Sequence, residues 1–206
     1  MELITLTKSL SQQDSAFYHA EINHSIFKSD STIHFVSFIK QSKKPPKHID
    51  YSPMYFLLGR QFPDFKILNI ELDTISLSYF YGKPTLLNFW FSDCPPCVAE
   101  IPILNGIAKE FENEVNFLAI TFEPQKVVRS FLSENPFSFY HLINEFDLMK
   151  KIKLDGYPMN ILIDENGKII RIMGGIPFIE TETGRKIGEA KLIRSELSKL
   201  TESQKN

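Results

Sequence analysis

The stretch NFWFSDCPPC, residues 88–97, contains both cysteines of the chain and decides how the surrounding sequence is interpreted. The dense apolar run from residue 85 to residue 91 predicts a central strand that is covered on both faces. A helical pattern begins at Cys97, so the cysteine pair is predicted to lie at a strand-to-helix turn. That is the placement that a dithiol–disulfide redox site needs.

The cysteine pair alone is also compatible with other kinds of site. Cys-x-x-Cys can be half of a zinc site, but the chain has no third cysteine and its five histidines show no ligand spacing. A c-type haem attachment needs His directly after the second cysteine, where this chain has Val98. A peroxidatic cysteine would follow Pro by seven residues and Thr or Ser by three, and Cys94 follows Leu87 and Phe91. Two unreactive core cysteines remain the alternative to redox chemistry, which the turn placement favours.

Composition narrows the class of protein. The chain has 206 residues, of which 43% are hydrophobic and 23% charged, which fits a globular domain with an extension. A net charge of -2 and the lack of a basic cluster interleaved with aromatics argue against nucleic-acid binding. No apolar run approaches the roughly 20 residues that a membrane span needs. The N-terminus lacks the pattern of a signal peptide, so either the protein is cytoplasmic or the sequence begins after a removed targeting segment.

The pattern of apolar and polar residues changes near residue 50. Residues 1–50 predict a β-rich extension of unknown role, with strands in residues 15–28 and 31–40 that suit a hairpin. Residues 41–47 are polar, contain two prolines and predict a linker. The main domain is expected to span residues 51–200, and residues 201–206 are expected to be a frayed tail.

The main domain predicts an α/β fold, a mixed central sheet flanked by helices, because strand and helix patterns alternate along it. Strands are predicted as two short segments in 66–77 and at 85–91, 115–122, 139–144, 160–164 and 169–173. Helices are predicted after Cys97, with a kink at Pro102, at 124–134 with Val127, Val128, Phe131 and Leu132 inward, and at 146–152. A loop at 177–184 is predicted to precede a final helix with Ile187, Ala190, Ile193, Leu197 and Leu200 on one face.

The two cysteines have distinct expected roles. The thiolate is the nucleophile, and a helix N-terminus stabilises negative charge. Cys94 lies just before the predicted helix, so its sulfur is expected to be the exposed, attacking one. Cys97 lies one turn into the helix and can attack the mixed disulfide to release the reduced partner. Pro96 suits the first helical turn, where its missing N–H costs little.

The sequence from about residue 59 to residue 200 resembles the TlpA/ResA-like thiol-disulfide oxidoreductases, a family with the thioredoxin fold. The resemblance rests on the motifs at residues 59–65, 82–90, 94–102, 156–158 and 161–169. It implies a thioredoxin-like domain from residue 51 and a protein disulfide reductase that needs no cofactor beyond the Cys94–Cys97 disulfide. Residues 1–50 match no pattern that we can name.

The resemblance also implies roles for residues outside the pair. Pro158 matches the family's cis-proline, which packs against the cysteines and holds the preceding backbone for a bound substrate chain. Glu100 matches an acidic residue that faces the site, where it can relay protons to Cys97 and tune its pKa. Alternatively, Glu100 is a solvated carboxylate on the helix surface. Trp90 resembles a tryptophan that flanks the family's active site, and a role in the core suits it equally well. The residues expected to contact substrate are Trp90, Asp93, Pro95, Pro96, Tyr157 and Pro158.

Two positions depart from the family pattern. Asp93 stands where many relatives have Trp; its carboxylate should disfavour the Cys94 thiolate, or it could cap the helix, or it could lie in an exposed loop without effect. Asn88 stands where thioredoxins proper have a buried Asp, so a proton-relay role must fall to Glu100 or to water.

The expected partners are protein thiols and disulfides together with an upstream electron donor, for a monomer in the periplasm or cell envelope. A peroxide-linked redoxin and a non-catalytic binding module with the same fold are the alternative functions. The sequence does not set the direction of electron flow, which depends on the reduction potential.

Overall fold

The computed structural model describes residues 17–27, 32–41, 54, 57–181 and 184–203. The chain divides into two compact units between residues 50 and 51. In the first unit β1 (Phe17–Phe27) pairs antiparallel with β2 (Thr32–Gln41), as the hairpin pattern predicts. The predicted linker at residues 41–47 begins with the last residue of β2, and its residues 42–47 lie outside the described residues.

The second unit is built on a seven-stranded mixed sheet. Its strands are β3 (Lys66–Asn69), β4 (Thr74–Ser76), β5 (Thr85–Phe89), β6 (Asn116–Ile120), β7 (Tyr140–Ile143), β8 (Met159–Ile163) and β9 (Ile169–Gly174). Their order across the sheet is β4-β3-β7-β6-β5-β8-β9. Strands β5, β6 and β7 are parallel, and β8 and β3 join them antiparallel on either side. This arrangement confirms the predicted mixed sheet.

Helices cover both faces of that sheet. They are α1 (Pro95–Glu110), α2 (Gln125–Glu134), α3 (Asp147–Lys151) and α4 (Lys191–Ser203), with a 3₁₀ turn at Leu77–Phe80. Successive strand residues point to opposite faces. On β5, Leu86 packs into the core shared with α1 and α4, whereas Leu87 packs into the core shared with the 3₁₀ turn and α3. All five residues of β5 are buried, as expected for a strand covered on both sides.

The structure corrects the predicted loop at residues 177–184. Residues Phe178–Thr181 (β10) and Gly184–Ile187 (β11) form a separate two-stranded antiparallel sheet. The Gly188 N–H donates to the Pro177 carbonyl at 2.9 Å and closes its base, and the Arg185 guanidinium lies 4.7 Å from the centre of the Phe178 ring. The strands are short and mostly polar, so they lack the apolar alternation that would have predicted them.

The helix boundaries bring three smaller corrections. The final helix begins at Lys191, so it contains neither Ile187, which lies in β11, nor Ala190, which directly precedes the helix. That helix continues to Ser203, so the predicted frayed tail at 201–206 is wrong for its first three residues, and Thr201 is buried. Val127 on α2 was predicted to point inward but is 39% exposed, because Val128 occupies the buried position of that turn. No helix among the residues that the structure describes is long and apolar enough to cross a membrane.

Leu118 tests the two-faced core directly. It lies in the middle of the central strand β6 and is fully buried. We expect Leu118→Ala to lower the free energy of unfolding by about 2 to 5 kcal/mol, because truncation removes apolar contacts and leaves a cavity. The measurement is urea unfolding of the oxidised protein. Leu192→Ala, at a half-exposed position of α4, is the control and should change this value by less than about 0.5 kcal/mol; equal losses in both variants would contradict this packing.

Candidate active site

The cysteine pair lies where the carboxyl end of β5 leads into α1. Cys94 is the N-cap of α1, and Pro95 and Pro96 occupy its first positions. The sequence pattern predicts a helix start at Cys97, and the helix begins two residues earlier, at Pro95. The Cys97 N–H donates to the Cys94 Sγ at 3.3 Å, and the two sulfurs form a disulfide. A proline at the first helical position needs no hydrogen-bond partner for its nitrogen, which explains why this short motif starts a helix.

The expectation that the Cys94 sulfur is exposed is wrong for the oxidised protein. Cys94 is 4% exposed and Cys97 is 2% exposed. The disulfide ties Cys94 to a residue one turn inside the helix, and both cysteines join the apolar core that α1 shares with the sheet. Pro95 and Pro96 are exposed beside them. The two residues between the cysteines are therefore exposed, whereas the cysteines themselves are buried.

Glu100 is buried directly behind the pair. It lies one helical turn after Cys97 and is only 1% exposed, so the alternative of a solvated helix carboxylate is wrong. Its Oε1 accepts from the Asn88 side-chain amide at 2.8 Å, and its Oε2 accepts from the Ile176 N–H at 2.9 Å. The carboxylate thus connects α1 with β5 and with the segment after β9.

A second asparagine extends this network across the sheet. Asn88 on β5 and Asn160 on β8 are directly paired in register, and both are fully buried. The Asn88 amide also donates to the Asn160 Oδ1 at 3.0 Å, and the Asn160 amide donates to the Gly174 carbonyl at 3.3 Å. Asn160 was not anticipated from the sequence, where it reads as part of an apolar strand. Its alignment opposite Asn88 becomes visible only with the strand register.

Burial dominates the titration of Glu100. Removal of the carboxyl group from water raises its pKa from 4.5 to about 7. The hydrogen bonds from Ile176, Asn88 and Asn160 act in the opposite direction and limit this rise. The group can therefore gain and lose a proton near neutral pH, which is the property required of a proton relay.

Pro158 has the predicted cis peptide bond with Tyr157 and is buried. A Cβ added to Gly175 would lie 2.5 Å from the Pro158 Cγ and 3.4 Å from the Glu100 Oε2. Gly175 therefore lets the segment after β9 pass close to both residues. Only a glycine leaves room for this approach.

Tyr157 is half-buried in front of the proline. Its hydroxyl donates to the Met149 Sδ at 3.1 Å, and its ring meets the Phe91 ring edge-on, with 5.1 Å between centroids. Burial raises the pKa of the Tyr157 hydroxyl. The side chain thus shows its ring rather than its hydroxyl at the site.

Trp90 is a core residue. It is 1% exposed and packs against the rings of Phe131, Phe137 and His141 at centroid distances of 5.1, 5.6 and 6.0 Å. In this structure it offers no surface to a docking chain. Of the two roles that the sequence left open for Trp90, its burial supports the core role.

Asp93 is exposed and does not cap the helix, because Cys94 occupies the N-cap position. The preceding residue is fixed by a carboxylate that the sequence did not single out. The Glu123 carboxylate accepts from the Ser92 N–H at 2.7 Å and from the Ser92 hydroxyl at 2.6 Å. Ser92 and Asp93 line an open groove of about 650 Å³ that α2 borders on its other side.

The structure thus brings together six of the predicted residues around one turn and separates one. The cysteines, Pro95 and Pro96 lie at the start of α1, Glu100 lies behind them and Asp93 lies before them, whereas Trp90 is buried in the core. Pro158 and Tyr157 reach the same region through Gly175 and Phe91. Within the described ranges, no group of three His, Cys, Asp or Glu side chains could hold a metal ion.

Comparison with known proteins agrees with this geometry. A family model described as the AhpC/TSA family matches residues 58–175. The chain is 31% identical to the thioredoxin-like protein YneN of Bacillus subtilis over 115 residues, which cover 54% of this chain and 68% of YneN. It is 30% identical to the thiol-disulfide oxidoreductase ResA of Halalkalibacterium halodurans over 120 residues, which cover 57% of this chain and 68% of ResA.

Solved structures show the same fold. The thioredoxin domain of a thiol-disulfide oxidoreductase from Bacteroides vulgatus superimposes with a TM-score of 0.54 at 22% identity and covers 57% of this chain and 89% of its own. A thiol-disulfide oxidoreductase from Bacteroides fragilis gives a TM-score of 0.54 at 22% identity and covers 66% of this chain and 98% of its own. The thioredoxin-like architecture predicted from the sequence is thereby confirmed.

The buried carboxyl group should make stability depend on pH. Between pH 4.5 and about 7, folded Glu100 holds a proton that the unfolded chain releases, so its stabilising contribution is complete below pH 4.5 and is lost as the pH rises to about 7. The loss should amount to about 3 kcal/mol, since one pKa unit corresponds to about 1.4 kcal/mol. The measurement is urea unfolding of the oxidised protein across this range, compared with Glu100→Gln, which cannot ionise.

The difference in unfolding free energy between wild type and Glu100→Gln isolates this group, because the other titrating groups are common to both proteins. As the pH rises, the wild type should lose stability relative to Glu100→Gln, and the difference should level off above about pH 7. A difference that stays constant from pH 4.5 to pH 8 would show that Glu100 does not titrate as its burial requires.

Proposed function

Because the chain belongs to the AhpC/TSA family, and to its TlpA/ResA-like thiol-disulfide oxidoreductases, we propose that it reduces disulfide bonds of other proteins through a Cys94/Cys97 dithiol–disulfide cycle. The observation that carries the proposal is the disulfide at the N-terminus of α1 with the buried Glu100 one turn behind it. The relatives named as thiol-disulfide oxidoreductases support it.

The cycle begins with both thiols reduced. The Cys94 thiolate, at the N-cap of α1, attacks one sulfur of the substrate disulfide, and the other substrate sulfur leaves as a thiolate that takes up a proton. Cys97 then loses its proton and attacks the Cys94 Sγ. The second substrate sulfur leaves as a thiol, the Cys94–Cys97 disulfide forms, and two electrons have passed to the substrate.

Glu100 is the proposed proton acceptor of Cys97. Residues three apart on a helix are neighbours on one face, so the carboxyl group lies next to the resolving cysteine. Because its pKa is about 7, it can take the proton when Cys97 attacks and release it later in the cycle. Asn88 holds the carboxyl group through its amide and, as an amide, does not exchange a proton itself.

The charges around the pair favour the reducing direction. Strong oxidants of this fold owe their potential to a stabilised reduced form, in which the attacking thiolate has a low pKa. Here Asp93 directly precedes Cys94, and Glu123 holds Ser92. These carboxyl groups oppose the helix N-terminus in stabilising a thiolate, while Lys126 is an exposed cation across the groove from Asp93. The reduced form is therefore expected to be readily oxidised by its substrate.

The rest of the proposal follows the family resemblance. The cysteine pair serves as the redox group without a further cofactor, and an upstream dithiol donor regenerates it. A monomer that acts in the periplasm or cell envelope on protein substrates is the setting we propose. The peroxide-linked alternative is not favoured, because Leu87 and Phe91 stand where a peroxidatic cysteine would need Pro and Thr or Ser.

Substitution of each cysteine separates the two steps. Cys94→Ser should abolish reduction of insulin disulfides, because the attacking thiolate is lost. Cys97→Ser should keep the first step and accumulate a mixed disulfide with the substrate, visible by non-reducing mass spectrometry.

Turnover that survives Cys94→Ser would rule out the cycle. A wild-type protein that binds reduced or oxidised polypeptides without any redox turnover would favour the non-catalytic binding module instead.

A further inference from the structure

Two buried asparagines form a chain of hydrogen bonds behind Glu100. The Asn88 amide donates to the Glu100 Oε1 at 2.8 Å, and Asn160 bonds in turn to Asn88 and to the Gly174 carbonyl. Asn88 is 1% exposed and Asn160 is 0% exposed, so neither amide can exchange these partners for bulk water. A buried amide costs free energy unless its hydrogen bonds are made. The cycle described above assigns no role to Asn160.

A carbonyl of the main chain fixes the direction of this chain of bonds. The Gly174 carbonyl can only accept, so the Asn160 amide must turn its NH₂ group towards it, at 3.3 Å. The Asn160 Oδ1 then faces Asn88 and accepts from its amide at 3.0 Å. The same NH₂ group of Asn88 donates to Glu100. One backbone carbonyl therefore sets the orientation of both side-chain amides.

The direction of these bonds decides which form of Glu100 they favour. An ionised carboxylate only accepts hydrogen bonds, whereas a protonated carboxyl group also has an O–H to donate. The Glu100 Oε1 faces the Asn88 amide and its Oε2 faces the Ile176 N–H, so both oxygens meet donors. An Asn88 amide turned the other way would present its Oδ1, which accepts from the protonated acid. The observed orientation thus favours the ionised form and opposes the burial that raises the pKa of Glu100 to about 7.

Few charged groups compete with this network. Strands β5 and β8 carry no ionisable side chain, and neither does the segment directly after β9. Strand β9 contributes Arg171, whose guanidinium pairs with Glu196 of α4 at 3.0 Å. Helix α1 contributes the two cysteines, which titrate once reduced, and its other charged residues lie in its last turn. The hydroxyl of Tyr157, before β8, is bonded to a methionine. The amide orientation is therefore a principal polar influence on Glu100.

We propose that Asn160 is a positioning residue of this site: anchored on the Gly174 carbonyl, it turns the Asn88 amide towards Glu100 as a donor and so keeps the carboxyl group able to take the proton of Cys97. The inference rests on the proposed function, because it deepens the role of Glu100 in the second step of the cycle. In that step the Cys97 thiol gives its proton to the Glu100 carboxylate and its sulfur bonds to the Cys94 Sγ. The bond between Cys94 and the substrate breaks, and its electron pair leaves with the substrate sulfur.

The test replaces Asn160 by Leu, which is similar in shape and lacks both polar atoms. The Glu100 carboxyl group is titrated in the oxidised protein by carbon NMR of labelled glutamate side chains, and its signal is identified by its loss in Glu100→Gln. Wild type should titrate at about pH 7. Asn160→Leu should raise the pKa of Glu100 by about one unit, as expected when a hydrogen bond to a charged group is weakened.

The same change should appear in the pH profile of the second step. The decay of the mixed disulfide with insulin is followed in single turnovers by acid quenching and mass spectrometry. At about pH 7, Asn160→Leu should be about fivefold slower than wild type, because an acid whose pKa is one unit higher is about one-tenth rather than half ionised there. Near about pH 9 both carboxyl groups are ionised, so the two rates should converge. A purely structural defect would slow the step at every pH.

Three further variants make the result specific. Ile161→Val is the matched control, because Ile161 is the next residue of β8, is fully buried and packs into the core on the other face of the sheet; it should leave the pKa and the profile unchanged. Asn88→Leu should raise the pKa at least as much as Asn160→Leu, and the double variant should add nothing to it, because Asn160 acts through Asn88. Asn160→Val, whose β-branched side chain suits a strand, repeats the test should Asn160→Leu not fold.

The outcomes separate this inference from the function on which it rests. A pKa of Glu100 that does not rise in the Asn160 variant would overturn the inference. So would effects of Asn88→Leu and Asn160→Leu that add in the double variant, because Asn160 would then act on Glu100 without Asn88. Either result leaves the reduction of insulin by the wild type intact. Failure of the wild type to reduce insulin would instead overturn the proposed function, and the NMR titration would still report whether Asn160 sets the pKa of Glu100.

Discussion

The structure around the site depends on one buried carboxyl group. Glu100 is a buried residue of α1, and its carboxyl group accepts hydrogen bonds from two sides, from the Asn88 amide and from the Ile176 N–H. A buried acid without partners would be costly, so the hydrogen bonds to β5 and to the segment after β9 are required for this arrangement. These bonds connect the helix that carries the cysteines to a central strand and to the segment after the last strand of the sheet. The same burial gives Glu100 a pKa near neutrality, so one constraint serves both structure and proton transfer.

The functional groups lie together at the carboxyl ends of the central parallel strands because of the sheet's topology. Strands β5 and β6 are parallel, so their carboxyl ends meet, and the residues that follow them pair through Ser92 and Glu123. Strand β8 is antiparallel to β5, so it begins next to the carboxyl end of β5, and Tyr157 and Pro158 directly precede it there. The cysteine pair, the Glu123 carboxylate and the segment before Pro158 therefore come together from three distant parts of the sequence.

Much of this could be predicted from the sequence, and the exceptions have physical reasons. The apolar run before Cys94 and the alternation of strands and helices were sufficient for a mixed sheet covered by helices. The thioredoxin-like fold and the cis peptide bond at Pro158 followed from the resemblance to a known family. Asn160 and Glu123 were missed because their importance depends on strand register and on which loops meet, and neither shows in local patterns. The exposure of Cys94 was misjudged because the sequence places a residue at a helix terminus but does not show how a disulfide turns its sulfur inward. The hairpin at β10 and β11 was missed because its strands are polar.

Acidic surroundings are expected to leave the Cys94–Cys97 pair a reductant. The most direct test of this claim is the reduction potential, measured by equilibrating the wild-type protein in dithiothreitol and glutathione redox buffers at pH 7 and quantifying free thiols by alkylation and mass spectrometry. We predict a value near that of thioredoxin, about −270 mV, because the carboxyl groups around the pair do not favour a stable thiolate. A value near that of the strong oxidant DsbA, about −120 mV, would mean that the reduced pair is stabilised after all and would contradict the claim.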